Sequence, residues 1–435
     1  LFGRRAAEPS RNDNDQHTRV RFLDGTFEVF PEEDVTFRAV TWYRDRSDDG
    51  AVGTRTTDFD STTDSQSIGL NSQLQFDQSV FGRRNRLVVG GDLLWEEADF
   101  TSRFEDFGTV PFVFDTDQEA DRDVWGVFLN NDLNLTPDVI VSAGLRYDRD
   151  QRDGTGRSSF QGTTTVVPLD TEHSAWSPRL AVTWRALDTA SLYVSWARGF
   201  RFPNLDEAFG SFASATNSIL LLDPETSETF EVGGKLRMGR AEANLAFYHM
   251  EVEDEIYFDT EVDLFGRNVN LDRVRHRGIE FSSFFRPRDW LELYGSYTFD
   301  DVEIREDNLS ALDGKRMTMI PRNRGTAGVR LFPGYDVEVG LNANFVGARP
   351  YLNDIADRFG NQDSYAVADV HLAWRPQLGE HLRFAVESNV YNLFDKEYSE
   401  VAGIRTDFFT FDREKRFNPS PGRNYELRVM VEVRR

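Results

Sequence analysis

Residues 382–398 read LRFAVESNVYNLFDKEY. In an extended segment Leu382, Phe384, Val386, Ser388 and Val390 share one face, and Arg383, Ala385, Glu387, Asn389 and Tyr391 share the other, because strand side chains alternate. One side is oily and the other wet, and the segment ends in a polar stop, Asn392-Leu393-Phe394-Asp395-Lys396. The design recurs. Tyr335, Val337, Val339, Leu341, Ala343 and Phe345 oppose Asp336, Glu338, Asn342 and Asn344. Tyr425, Leu427, Val429, Val431 and Val433 oppose Glu426, Arg428, Met430 and Glu432. Seventeen such segments are expected, at 18–30, 34–46, 62–78, 86–99, 121–135, 139–149, 174–186, 190–201, 227–238, 241–257, 270–286, 289–304, 323–332, 335–347, 364–375, 381–394 and 424–433.

The connections alternate too. Short turns stand at Pro31–Asp34, Thr136–Asp138, Leu187–Thr189, Gly239–Arg240, Pro287–Arg288, Pro333–Gly334 and Pro376–Glu380. Long polar links lie at 47–61, 100–120, 150–173, 202–226, 258–269, 305–322, 348–363 and 395–423. This puts every long link at one end of an up-and-down sheet, the arrangement of outer-membrane barrels with short periplasmic turns and long extracellular loops. No repeat of 40–50 residues marks a propeller. The last segment follows a long link and so runs inward. Counted back, 18–30 also runs inward, an expectation that further strands precede it.

Composition agrees. The chain has 435 residues, 39% hydrophobic, and a mean hydropathy of -0.53. No apolar run approaches the roughly 18 residues of a membrane helix; alternating barrel strands need none. Phe is frequent at 36, with 13 Tyr and 8 Trp, which suits interfacial aromatic girdles. The net charge of -24 disfavours nucleic acid as a partner. The absence of Cys rules out disulfides and thiolate metal sites. Only four of the fifty basic residues are Lys. No secretory leader is visible at Leu1–Arg5.

Residues 190–233 contain ASLYVSWARGFRFPNLDEAF and, further on, LLDPETSETFEVGG. They resemble the mid-barrel motif of TonB-dependent outer-membrane receptors, carried here by Arg198, Gly199, Phe200, Pro203, Asn204, Leu205, Glu207, Pro224, Glu225, Glu231 and Gly233. NVYNLFDKEY (389–398), with Asn392, Leu393 and Phe394, resembles the family's penultimate-strand motif, and PSPGRNYELRV (419–429) its last loop and strand. RGIEFSSFF (277–285) and SAGLRYD (142–148) fit its barrel strands. The chain ends Val433-Arg434-Arg435, where such barrels usually end in an aromatic.

The resemblance implies an all-β, antiparallel up-and-down transmembrane β-barrel with about 17 of 22 strands present. Residues 1–17 would be an extracellular lead-in and 18–435 an incomplete barrel domain without its plug. It further implies residence in the outer membrane as a monomer, with no cofactor and no bond chemistry. The implied activity is energy-dependent uptake of a scarce solute, a ferric siderophore above all, driven by the TonB complex acting through a plug. A passive porin-like channel with acidic lumen residues such as Glu338, Glu387 and Glu426 is the alternative; a structural or adhesive surface barrel is a third reading. A fragment of this kind is expected to leave an open wall at 18–30.

Several residues are weighed as sites. Arg349, Tyr351, Arg358 and Phe359 in one loop, and Arg405, Phe408, Phe409, Arg413 and Arg416 in another, suit an anionic chelate, since guanidinium pairs well with carboxylate or catecholate oxygens; ordinary loop surface is the competing reading. The RGFRFPNLDE element reads as wall structure, with Arg198 and Glu207 satisfied by neighbours and Phe200 and Phe202 as girdle aromatics. Acids two apart, at Asp45-Asp48-Asp49, Asp58-Asp60-Asp64 and Asp115-Asp117-Glu119-Asp121, have calcium-like spacing, but the glycine of an EF-hand loop is missing and solvated loop acids are preferred; no metal site is expected. His17, His173, His249, His276, His371 and His381 show no ligand spacing. Haem is disfavoured because no His follows Phe200-Arg201-Phe202-Pro203 between 204 and 226. Catalytic motifs such as G-x-S-x-G, H-E-x-x-H and the P-loop are absent.

Overall fold

The computed structural model describes residues 15–53, 57–106, 111–160, 162–208, 221–259, 267–307, 312–376, 382–406 and 412–433. In chain order the elements are β1 (Asp15–Glu32), β2 (Val35–Gly53), β3 (Thr57–Val80), β4 (Arg83–Asp106), β5 (Phe112–Asn134), β6 (Val139–Phe160), β7 (Thr163–Leu187), β8 (Ala190–Arg201), α1 (Leu205–Ala208), β9 (Glu225–Met238), β10 (Ala241–Asp259), β11 (Arg267–Arg288), β12 (Leu291–Glu306), β13 (Asn323–Gly334), β14 (Val337–Val346), β15 (Arg349–Pro350), β16 (Asn361–Gln362), β17 (Tyr365–Trp374), β18 (Leu382–Tyr391), β19 (Ser399–Thr406), β20 (Arg413–Pro419) and β21 (Asn424–Val433). Seventeen of these form one antiparallel sheet. The pairs β15–β16 and β19–β20 are separate hairpins inside loops. Among the described residues β1 pairs only with β2 and β21 only with β18, so the ladder has two free edges, as expected at 18–30. Among the described residues no helix is long and apolar enough to cross a membrane.

The register puts like with like. Phe285, Leu293, Val329, Leu341, Val370, Val390 and Tyr425 stand in one row across seven strands. The neighbouring row, on the opposite face, is Glu292, Arg330, Gly340, His371, Asn389 and Glu426. A water-soluble sheet would bury the first row. Here Leu341 and Val429 are exposed, as are Val127, Trp176, Val182, Val194, Val232 and Phe247, while Val337 and Val386 are half-buried. A continuous exposed apolar band of this extent is a surface for lipid. Trp176 and Trp184 mark its edges on β7; eight residues at roughly 3.3 Å each span about 26 Å along the strand, matching the about 25 Å apolar band of outer-membrane barrels. Trp125, Tyr147 and Trp176 pack in turn as tilted rings, centroids 5.5 and 4.8 Å apart, along the upper edge, where amphipathic rings suit the interface.

The opposite face is polar and internally satisfied. Thr326 Oγ1 donates to Asn344 (2.9 Å), Asn389 to Glu426 (3.0 Å) and Tyr193 to Glu231 (2.6 Å). Tyr294 lies flat over Gly328 and Tyr248 over Gly278, so that a Cβ at either glycine would strike the ring. The short turns are tight. Tyr335 and Asp336 adopt φ of 56° and 59°, the left-handed pair of a two-residue hairpin.

Four of the expected long loops are instead, wholly or in part, continuations of the wall. The β2–β3, β4–β5 and β6–β7 ladders run on through most of 47–61, 100–120 and 150–173, and β10–β11 does the same through the described part of 258–269. Residues 15–17 of the expected lead-in begin β1. The acids read as loop clusters are therefore strand residues. In β5, Asp115, Asp117, Glu119 and Asp121 alternate with the buried Phe114, Thr116, Gln118 and Ala120; their spacing of two is the strand period. Beyond the membrane the hydrophobic pattern inverts. On β12 the outward side passes from Leu293, Tyr297 and Phe299 to Asp301, Glu303 and Arg305, while the inward side passes from Tyr294, Ser296 and Asp300 to buried Val302 and Ile304.

The band predicts an asymmetry between adjacent positions. Leu341→Arg, on the lipid face, should cost about 2–4 kcal/mol near the midplane, whereas Asn342→Arg, on the polar face, should cost little. Urea unfolding of the two variants folded into lipid vesicles checks this; equal losses would refute the assignment of faces.

Candidate functional site

The inward apolar patches above the membrane are where the chain folds back on itself. The segment after β8 lies against the inner wall of the long hairpins. Leu205 packs with Ala98, Ala120 and Leu169, and Phe202 is buried and stacked on His173 at 6.3 Å. A buried charge cluster holds the segment down. Arg152, 1% exposed, pairs with Asp150 and donates to the Pro203 carbonyl, and Arg122 donates to both Asp150 oxygens (3.0 and 2.9 Å) and reaches Glu96 at 3.5 Å. Arg201 then ties the two halves of the motif together, donating to Glu207 (2.6 Å) and to Glu225 (2.7 Å at both oxygens). Glu207 also accepts the Asn204 N–H, and Glu225 accepts the Ile256 N–H.

These contacts give the motif residues structural roles. Gly199 sits where a Cβ would press on the Ser227 hydroxyl at 2.9 Å. Pro224 follows Asp223, which exchanges two hydrogen bonds with Asn270. Two expectations need correction. Arg198 is exposed on the outward side of β8, opposite Glu228, and not satisfied inside the wall. Phe202 belongs to the inner packing and not to a lipid girdle, because the chain has already turned inward there. Asn392 is the hub of the later motif. Buried, with φ of 51°, it accepts the Lys396 N–H and donates to the Lys396 carbonyl, while its own N–H bonds to Asp369. Leu393 N–H bonds to Ala368 O, and Phe394 is exposed.

A second structure covers the other side of the wall. The described parts of the loops at 307–322, 347–364 and 392–423 are joined into one cap. Met319 N–H bonds to Pro350 O, Leu352 N–H to Ala402 O and Ile404 N–H to Leu352 O. Ile355 enters a buried cluster with Leu312 and Met317 of the first loop and with Leu271, Val274, Val302 and Ile304 of the strands. Tyr351, Ala402 and Ile404 form another, with Phe359 and Phe417 packed on it. Asp354, fully buried, accepts the N–H groups of Arg358 and Phe359. In this cap burial pushes the Tyr398 phenol up.

The candidate binding residues divide between two roles. Arg349 is buried, donates to Glu400 O (2.6 Å) and lies over Tyr365. Tyr351 is buried edge-on to Phe417 beneath Lys415. Arg413 donates to Asn353 O (2.7 Å) and covers Phe359. These three bind the cap to itself. Arg358, Arg405 and Arg416 are exposed, Arg416 beside Glu414. Phe408, Phe409 and His381 lie outside the described residues. Among the described residues no three His, Asp or Glu side chains gather as a metal site.

A polar-lined, lipid-faced, antiparallel wall with fixed loops at one end defines the class of outer-membrane β-barrels. The chain belongs to the family described as TonB dependent receptor-like, beta-barrel, which it matches over residues 2–393. It is similar to the metal-pseudopaline receptor CntO of Pseudomonas aeruginosa, 25% identical over 298 residues that cover 67% of this chain and 39% of that protein. It is also similar to the catecholate siderophore receptor Fiu of Escherichia coli, 24% identical over 332 residues, 70% of this chain and 41% of Fiu. The chain thus spans about two fifths of these relatives. Its fold is that of the siderophore receptor PiuA from Acinetobacter baumannii, with a TM-score of 0.78, 16% identity and coverage of 97% of this chain and 65% of that one. The ferric yersiniabactin uptake receptor FyuA from Yersinia pestis gives 0.77, 15% identity, 96% and 61%. The family match removes the porin-like alternative, and the protein resides in the outer membrane.

The motif and the cap yield separate predictions. Arg152→Ala leaves Asp150 with one guanidinium fewer and frees Pro203, a loss of about 3–5 kcal/mol for a broken buried pair. Limited proteolysis should then cut near 202–208 at least tenfold faster. Ile355→Ala should cost about 2–5 kcal/mol and raise amide exchange in 312–322 and 349–362 together, because these two loops share one core; exchange confined to 349–362 would show that they are not joined.

Proposed function

We propose that this chain forms most of the wall of an outer-membrane receptor that takes up a bulky metal chelate, a ferric siderophore in the first instance, with energy delivered through TonB. The observation that carries the reading is the joined cap over a polar inner wall in a chain of this family. A fixed, arginine-bearing cap suits capture of a scarce anionic solute, and relatives named for metal-pseudopaline and catecholate siderophores support that cargo class. The exposed Arg358, Arg405 and Arg416 are the side chains we assign to the chelate, while Arg349, Tyr351 and Arg413 hold the surface that presents them. The free edge of β1 has unpaired backbone groups, which hydrocarbon does not tolerate. Further strands cover it, and a plug domain carried outside residues 18–435 fills the polar lumen and makes the TonB contact. The closed wall acts as a monomer.

Uptake of radio-iron chelates by cells whose only chelate receptor is the protein containing this chain tests the proposal. Accumulation should stop when TonB is deleted; uptake that continues at the same rate would identify passive flow. Arg405→Gln with Arg416→Gln should weaken chelate binding about tenfold, the scale of one lost charge-assisted contact, with the amount of receptor in the membrane unchanged.

A further inference from the structure

The outer circumference just above the lipid band is not uniform. On β4 and β5 the first outward residues past Trp95 and Trp125 are Glu97 and Asp123, and the acids continue in register as Glu97, Asp121 and Asp153 and as Asp64, Asp99 and Glu119. On β11 and β12 the equivalent step past Ile279 and Phe299 reaches Arg277 and Asp301, directly opposite each other. Asp301 is 8% exposed and collects three guanidiniums: Arg277 at 2.9 Å, Arg322 at 2.9 Å and Arg275 at 3.6 Å. Arg277 and Arg322 are themselves 54% and 50% exposed. Each guanidinium has five N–H donors, and one shared carboxylate occupies few of them. The compensating acids sit one row further from the membrane, where Glu303 holds Arg275 (2.6 Å) and Arg305 (2.7 Å) and Glu251 faces Arg275 in register. Nearest the lipid, Arg277 and Arg322 share the single carboxylate of Asp301 and leave one positive charge in excess, while His249 beside Arg277 pairs with Glu251 at 3.2 Å.

We propose that Arg277 and Arg322, braced by Asp301, bind the phosphorylated headgroup of a lipid in the outer leaflet. Height and chemistry agree. The pair stands two residues, roughly 7 Å along the strand, above Ile279 and Phe299, the level at which a lipid's phosphate meets its acyl chains. Phe281 and Tyr297, exposed just below, offer the acyl chains an apolar track. Two guanidinium forks on one rigid anchor match phosphate oxygens bidentately, and basic clusters beside a bilayer draw anionic headgroups. The acidic sector on β3–β6 repels the same headgroups, so the lipid is held at one place on the wall. The site is on the outside and is independent of which solute crosses the lumen.

The test uses the full receptor taken from outer membranes in mild detergent and stripped of lipid, with native mass spectrometry as the readout. Bisphosphorylated lipid A should be retained about tenfold more than the same lipid with its phosphates removed. R277Q/R322Q should lose that preference, and R277K/R322K, which keeps charge but not the planar fork, should lose part of it. If R277Q/R322Q does not assemble, R322Q alone, altered outside the strands, should show a smaller loss of the same kind. Equal retention of the two lipids by the unaltered protein overturns the proposal, as does a preference that survives R322Q and R277Q/R322Q. Full displacement of the lipid by millimolar inorganic phosphate would mark a free-anion site and overturns it too. Chelate uptake, read separately, should be unchanged in R322Q.

Discussion

Hydrocarbon offers no hydrogen bonds, so every backbone N–H and C=O that crosses it must be paired within the chain. That constraint sets the rest of the structure. It requires an unbroken ladder from β1 to β21, with each strand bonded to the next. Once the ladder is fixed, side chains have only two directions to go. The outward set must be apolar at membrane height, and the inward set can be as polar as a water-filled lumen permits. Arg146, level with Phe128 in the band, pairs with Asp92 and Asp148 at the band's upper edge for that reason. All three point inward and meet no lipid.

Where the wall leaves the membrane, the same two directions exchange roles. Outside, water replaces lipid; inside, folded-back chain replaces solvent. Val302 and Ile304 on β12, Val274 on β11 and Val252 on β10 are inward and buried, while Asp301, Arg275 and Glu251 on the same strands face out. The inversion converts an empty tube end into two seats, one for Leu205 of the motif segment and one for Ile355 of the cap. The extracellular end is thus built like a small soluble domain on a membrane wall. Its loops gain their order from ordinary apolar cores and a few buried charges.

This inversion also explains what was legible in the sequence. All seventeen strands were visible, because each crosses the membrane once and carries at least four alternating residues there. The strand lengths were not. In β5 the alternation of Phe114, Thr116, Gln118 and Ala120 against four acids is as regular as that of Val127 and Leu129 against their neighbours. Yet three of its four inward members, Thr116, Gln118 and Ala120, are small or polar, and no hydropathy pattern identifies them. The acids therefore read as solvated loop residues where the ladder in fact continues. The motif around Pro203 announced itself by type and order, but its anchor, Arg152, lies about fifty residues earlier in the chain. It is one Arg of an Asp-Arg-Asp-Gln-Arg-Asp run, and nothing local says which of these charges will be buried. Likewise Arg349 and Arg405 look equivalent in the loops, and only packing separates a buried brace from an exposed candidate for cargo.

The scarcity of Lys has a reading in these terms. Neighbouring strands place side chains of one face about 4.8 Å apart, so a cation on the inner wall commonly meets two acceptors from different strands. Arg122 joins Glu96 to Asp150, Arg201 joins Glu207 to Glu225, and Arg375 joins Glu338 to Glu387. Arg152 spans a carboxylate and a backbone carbonyl. A planar fork with fixed donor directions makes such bridges without reorganising, and its weak hydration lowers the cost of burying it; an ammonium group does neither as well. A wall this rich in acids therefore needs Arg wherever strands must be cross-braced. Two of the four Lys serve as point charges over rings, Lys415 over Tyr351 and Lys235 over Tyr193.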